Sequence, residues 1–270
     1  MKKSTSIILW ILAFLLMGSL AVYQRLTGPT YPQRGKITIG NQEIKFKLSR
    51  STDTDGIDLI KINVPDESYT GYITLKRYKS YDEWTTKVMT YRDGALYADI
   101  PEQPAAGKVE YKIAIAGADN QAVALTDKPV VLRFKGKVPS FVLVPHIFFM
   151  FFSLVIGMRT GLEALFKGSK VYKQSFWTLI FITIGGLILG PLVQYYAFGA
   201  FWTGWPFGHD LTDNKTLAGV LGWLLAVWQI RKHPDRRWWA FIALVIMLAV
   251  YLIPHSVLGS EIDYTKLPQQ

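Results

Sequence analysis

Hydrophobic positions are distributed along this chain in two different rhythms. An unbroken apolar run extends from about Ile7 to Tyr23. From Lys36 to about Lys137 apolar and polar residues alternate, and from Ser140 onward long apolar blocks return. A run of roughly 20 apolar residues spans a bilayer as a helix. Strict alternation puts one face of a strand on a core and the other in water. The pattern therefore predicts a membrane helix, a β domain and a set of further membrane helices, in that order.

The alternating part is explicit in its residues. Glu43-Ile44-Lys45-Phe46-Lys47-Leu48, Tyr72-Ile73-Thr74-Leu75-Lys76 and Val109-Glu110-Tyr111-Lys112-Ile113 all switch at every position. Turn signals separate the runs, among them Gly40-Asn41, Thr54-Asp55-Gly56, Arg92-Asp93-Gly94 and Gly117-Ala118-Asp119-Asn120. About seven to nine short strands in roughly a hundred residues is the rhythm of a two-sheet sandwich. The stretch from Leu96 to Ile113 resembles an immunoglobulin-like or fibronectin-like β-sandwich in general form, and that resemblance implies an all-β fold for residues 36–137.

The apolar blocks after Ser140 divide at basic loops. Phe141 to Met158 is broken only by Pro145, His146 and Ser153, and it ends at Arg159 and Glu163, which are four apart and positioned to pair as the segment leaves the lipid. A run from about Phe176 to Phe198 carries Gly185, Gly186 and Gly190, small residues that admit a neighbouring helix or a flat ligand. Asp213 is expected to cap a helix starting near Asn214. The last run, Ala240 to Ile253, ends at Pro254-His255. The expected organisation is an N-terminal anchor (1–24), a linker (25–35), an exported β-sandwich (36–137), a four-helix membrane domain (138–257) and a polar tail (258–270), giving five transmembrane helices in all. Gly18-Ser19-Leu20-Ala21 matches a signal cleavage site poorly, so the first run is expected to stay as an anchor.

Charge sets the orientation. The chain of 270 residues carries 30 Lys and Arg against 20 Asp and Glu, a formal net charge of +10. Lys2, Lys3, Arg159, Lys167, Lys170, Lys173, Arg231, Lys232, Arg236 and Arg237 all flank apolar runs on one predicted side. Cytoplasmic loops carry such an excess, so the N-terminus is placed inside and the C-terminus outside. No basic stripe with interleaved aromatics stands elsewhere, which argues against a nucleic-acid partner. Cysteine is absent, removing disulfides, thiol redox chemistry and iron–sulfur clusters. A basic anchor and an exported, cysteine-free domain fit a bacterial cytoplasmic membrane.

Candidate chemistry rests on histidine. The tetrapeptides Leu143-Val144-Pro145-His146 and Leu252-Ile253-Pro254-His255 place two imidazoles at similar depth on oppositely directed helices. Ionisable residues inside spans mark functional sites. His146 and His255 are candidate ligands for a b-type haem, held from both sides. A second reading adds His209 and makes the three histidines a metal site, with zinc or another transition metal and with Asp210 or Asp213 as base or supporting partner. That donor set resembles the site chemistry of membrane metallohydrolases of the ceramidase kind. A third reading is non-catalytic, with residues 36–137 binding other envelope membrane proteins and the spans serving as anchor. The three remain open on sequence alone: a haem-binding electron-transfer subunit, a metal-dependent hydrolase, or a partner subunit of an envelope complex.

Overall fold

The structure is a computed structural model and describes residues 2–54, 58–118, 120–254 and 259–266, with no side-chain description at 58 and 59. The chain forms two compact units. One joins Met1–Pro29 to Val138–Gly259, and the other joins Thr30–Lys137 to Ser260–Gln270. Helices and sheets are therefore segregated.

The helical unit begins with α1 (Lys3–Thr27) and resumes with α2 (Ser140–Leu165). Next come α3 (Val171–Ile182), a π-helical segment (Thr183–Leu189) and α4 (Gly190–Phe198), which run on as one element of 28 residues. The unit ends with α5 (Leu211–Lys232) and α6 (Trp238–Leu252). Among the described residues three helices are long and apolar enough to cross a membrane: Lys3–Thr27, Ser140–Leu165 and Val171–Phe198. α6 is apolar but has only 15 residues. α1 buries Leu9, Ala13 and Met17, a stripe at four-residue spacing, while Ile8, Leu15 and Val22 on its remaining surface are about 60 % exposed. So broad an apolar surface suits lipid rather than water. The unit's core is Trp223, Leu154, Val155, Leu244 and Met247. A Cβ at Gly157 would overlap Met247, and one at Gly161 would overlap Leu244. This small-xxx-small pair on α2 lets α6 approach closely.

Among the described residues the β unit holds eleven strands: β1 (Gln33–Ile39), β2 (Gln42–Leu48), β3 (Ser51–Asp53), β4 (Asp58–Asn63), β5 (Thr70–Arg77), β6 (Thr85–Val88), β7 (Thr90–Arg92), β8 (Ala95–Ile100), β9 (Lys108–Ala116), β10 (Ala122–Ala124) and β11 (Val130–Lys135). β1 and β2 form a hairpin, closed at Ile39↔Gln42. A larger sheet runs β3-β11-β9-β5-β6, with β10 also on β9, and a smaller one runs β4-β8-β7. One apolar cluster draws Ile44 and Leu48 from the hairpin, Ile73, Tyr111 and Ile113 from the larger sheet, and Ile60, Leu96 and Ile100 from the smaller. The three sheets thus share a core, with the alternate residues Glu43, Lys45 and Lys47 left in water. The β7–β8 hairpin turns on Asp93 and Gly94, both at positive φ (49° and 73°), as a two-residue turn of the primed type requires.

The C-terminal tail belongs to the β unit. Ile262 donates its backbone N–H to Ala106 O at 3.2 Å, Arg133 Nη2 donates to Ser260 O at 2.7 Å, and Tyr264 Oη donates to Gln103 Oε1 at 2.9 Å. Glu261 pairs with both Lys79 and Lys108, and the Arg77 guanidinium lies 4.7 Å from the centre of the Tyr264 ring.

Candidate functional site

His146 sits at the end of the helical unit where α2 begins. Pro145 removes the N–H that would serve the carbonyl of Phe141, yet α2 continues through it. His146 is half-buried, and its Nδ1 lies 2.9 Å from Gly185 O. A carbonyl only accepts, so Nδ1 carries the hydrogen, and in the neutral ring Nε2 keeps its lone pair. Gly185 lies in the π-helical segment, and its oxygen also accepts from the N–H of Gly190, five residues on. Single π turns inside α-helices occur frequently at functional sites.

Of the two roles expected of Gly185 and Gly186, admitting a neighbouring helix or a flat ligand, the close approach of neighbouring helices is what their surroundings show. A Cβ on Gly185 would come within 3.0 Å of Met150, and one on Gly186 would overlap Thr216. These glycines let α2 and α5 close on the π turn. A cavity of about 40 Å³ lies among α2, α5 and α6, lined by Met150, Thr212, Lys215, Thr216, Met247 and Tyr251 among others. That is room for about one water.

The acids of this end hold a loop. Asp210, not Asp213, is the N-cap of α5, accepting from the Thr212 N–H at 2.8 Å. Asp213 falls inside the first turn and turns back instead: its Oδ2 accepts from the N–H of Thr203 at 2.6 Å, from the N–H of Gly204 at 2.9 Å and from Gln194 Nε2 at 3.2 Å. The cap moves by three residues because the loop 199–210 folds back over α5 and supplies donors for Asp213. His209 is exposed on that loop. His255 lies outside the described residues, so its relation to His146 and His209 is not part of the described geometry. Among the described residues no group of three or more His, Asp or Glu is placed to hold a metal ion.

Lys215 was not a candidate on sequence, although a lysine in the second turn of an otherwise apolar helix is a signal. It is buried, and Nζ donates to Ile253 O at 2.7 Å and to Pro254 O at 3.5 Å. These carbonyls follow the last turn of α6, where a cation is favourable.

Arg159 and Glu163, near the opposite end of α2, are fully buried and pair as their spacing predicts. Arg159 Nη2 lies 2.6 Å from Glu163 Oε2 and 3.2 Å from Ser6 Oγ on α1, with the Trp10 ring 5.6 Å away. Glu163 Oε1 accepts from the N–H of Lys170 at 3.1 Å, tying down the α2–α3 connector. Arg159 Nε and Nη1 have no hydrogen-bond partner among the described residues.

The β unit has its own concavity, a cleft of about 360 Å³ lined by Ile73, Lys87, Val88, Thr90, Tyr97 and Asp99, among others. It opens where β7 ends. β7 pairs with β8 only as far as Thr90↔Tyr97, so Ala98–Ile100 have a ladder on the β4 side alone among the described residues. β6 likewise pairs with β5 only, and every residue of it is exposed. Two unpaired strand edges flank one cleft.

The chain matches no protein-family model, no curated protein and no solved structure.

Proposed function

We propose that the chain is a non-catalytic subunit of an envelope membrane complex, in which the β unit takes up an extended segment of a partner membrane protein and the helical unit is its anchor. The observation that carries this is the cleft between the open edges of β6 and β8. Exposed edges offer unpaired N–H and C=O groups, and extended peptides add to them as a further strand. Lys87, Arg92 and Asp99 at the rim would set the register of such a segment.

In this reading the β unit is an immunoglobulin- or fibronectin-like sandwich outside a bacterial cytoplasmic membrane, and five helices cross it. Connectivity supports the count. The β unit precedes α2, and the tail after α6 packs on the same unit. The chain from α2 to α6 must then cross an even number of times. α2 and the element Val171–Phe198 supply two crossings, and α5 with α6 supply the other pair.

A photoreactive phenylalanine placed in cells at Val88 or Thr90, with exposed Lys45 as control, tests the cleft. The expected result is one discrete adduct at the two cleft positions and none at Lys45. Equal labelling at all three, or none at the cleft, sinks the reading.

A second reading keeps one supporting observation. The hydrogen bond to Gly185 presents His146 with Nε2 open, the form in which an imidazole ligates haem iron or zinc. A b-haem electron-transfer subunit or a metal-dependent hydrolase would need His255, and for the metal also His209. An absorption spectrum and metal analysis on one preparation separate these readings from the first.

A further inference from the structure

The helical unit contains a second, larger concavity, about 750 Å³, between the α2–α3 connector and the α5–α6 connector. Arg231 and Arg237 line it together with Ser169, and its wall is apolar, with Ile230, Tyr172 and Phe176. Neither arginine side chain has an ion pair or hydrogen bond among the described residues, and the Arg237 backbone N–H donates to Asp235 O at 2.9 Å. The one carboxylate of the α5–α6 connector, Asp235, is not part of the lining, and Glu163, nearby on α2, is engaged by Arg159. The α3 helix starts at Val171, which also lines the cavity, and α6 starts next to Arg237; neither start has a side-chain cap. Lys167, Lys170 and Arg236 on the same two connectors, with Lys173 in the first turn of α3 and Lys232 at the end of α5, add to the positive field.

We propose that this cavity binds the headgroup of an anionic phospholipid, with its phosphate between Arg231 and Arg237 and its acyl chains against Tyr172 and Phe176. Three features point to a lipid. The cations are paired with no protein acid, so they are left for an anion from outside. The volume is that of a ligand site rather than of a packing defect. The wall continues from charge into aromatic surface, 39 % exposed at Tyr172 and 43 % at Phe176, which suits an amphiphile better than a free ion. Basic pockets between membrane helices bind anionic headgroups on the cytoplasmic side. The inference rests on the helical unit lying in a bilayer and is independent of what the β unit binds.

The test uses the full chain, delipidated in a neutral detergent. Its thermal midpoint is followed against added phosphatidylglycerol, phosphatidylcholine or inorganic phosphate. Phosphatidylglycerol is expected to raise the midpoint at concentrations where the other two do nothing. Arg231→Gln with Arg237→Gln should weaken that response by about tenfold or more, whereas Lys2→Gln with Lys3→Gln should leave it intact. An equal response in both double variants overturns the site. An equal response to inorganic phosphate overturns the lipid assignment. Should the arginine variant not fold, native mass spectrometry of the unaltered protein decides: retention of phosphatidylglycerol over phosphatidylcholine supports the site, and equal retention overturns it.

Discussion

His146 and Gly185 are joined across 39 residues by a hydrogen bond of 2.9 Å, from the imidazole Nδ1–H to a carbonyl inside a π turn. The bond ties α2 to the second long apolar element. Because Gly190 N–H serves the same oxygen, removing the imidazole does not leave that carbonyl bare. His146→Ala is therefore expected to cost only about 1 kcal/mol, seen as a small fall in the thermal midpoint of the detergent-solubilised protein. The same preparation is expected to be colourless. A Soret band that disappears in His146→Ala would instead establish the haem reading.

Arg159 and Glu163 should behave in the opposite way. Both are buried, and the pair is attached to α1 through Ser6 and to the α2–α3 connector through Lys170. Removing one partner strands a charge in a medium that cannot solvate it, at a cost of about 3–5 kcal/mol. Glu163→Leu alone should lower the thermal midpoint far more than Glu163→Leu combined with Arg159→Met, since the double change removes both charges. If the double variant were as unstable as the sum of the single ones, the pair would be contributing no coupling.

Local order was legible in the residues, and non-local order was not. The alternation of Ile44, Phe46 and Leu48 with Glu43, Lys45 and Lys47 names both the strand and its buried face, and Asp93-Gly94 names the turn. The long apolar runs likewise name the helices. Asp213 was misjudged as a cap because Asp210 and Asp213 are chemically equivalent choices; the loop that engages Asp213 decides between them, and its path is a tertiary fact. The spacing of Arg159 and Glu163 names their pairing, but the contacts of Arg159 with Ser6 and Trp10 on α1, which bury it in the protein, are a tertiary fact. The tail gave no sign of docking, since Glu261 becomes informative only when Lys79 and Lys108 are known to converge on it. At the histidine end, the tetrapeptides identified His146 but could not foresee that Met150 and Thr216 would fill the space beside Gly185 and Gly186.

Tail docking should depend on acid. Burial raises the Glu261 carboxyl, but hydrogen bonds from the Lys108 and Lys79 ammonium groups outweigh it, and the group is held below the usual carboxylate range. A carboxylate with a depressed folded-state value stabilises the docked tail above its ordinary value, and that stabilisation is lost as pH falls through the lowered one. The tail is therefore expected to stay docked at neutral pH and to loosen in the acid range, below the ordinary glutamate value. Proteolysis of the tail at graded pH, with Glu261→Gln for comparison, measures this. The variant should show the loosened tail at all pH values, and a tail with the same protease sensitivity in both proteins throughout would show that the pair does not hold it.

The absence of cysteine makes the membrane arrangement directly measurable, because any single introduced thiol is the only one in the chain. Tyr81 is 73 % exposed on the β unit, Lys266 is exposed on the docked tail, and Asp235 is exposed on the α5–α6 connector. An even number of crossings between α2 and the tail puts Tyr81 and Lys266 on one side. The basic connector that holds Asp235 falls on the other side only if α5 crosses. Tyr81→Cys and Lys266→Cys should both react with a membrane-impermeant maleimide in intact cells, while Asp235→Cys should react only after the membrane is permeabilised. Labelling of Asp235→Cys in intact cells would mean that α5 and α6 lie on the outer side as a re-entrant or interfacial pair. The 15 residues of α6 rise about 22 Å at 1.5 Å each, against a hydrocarbon core of about 30 Å. The Trp238 and Trp239 pair at its start and the Lys215 contact to the carbonyls at its end are what would let so short a helix reach both interfaces, so the Asp235 result decides between three spans and five.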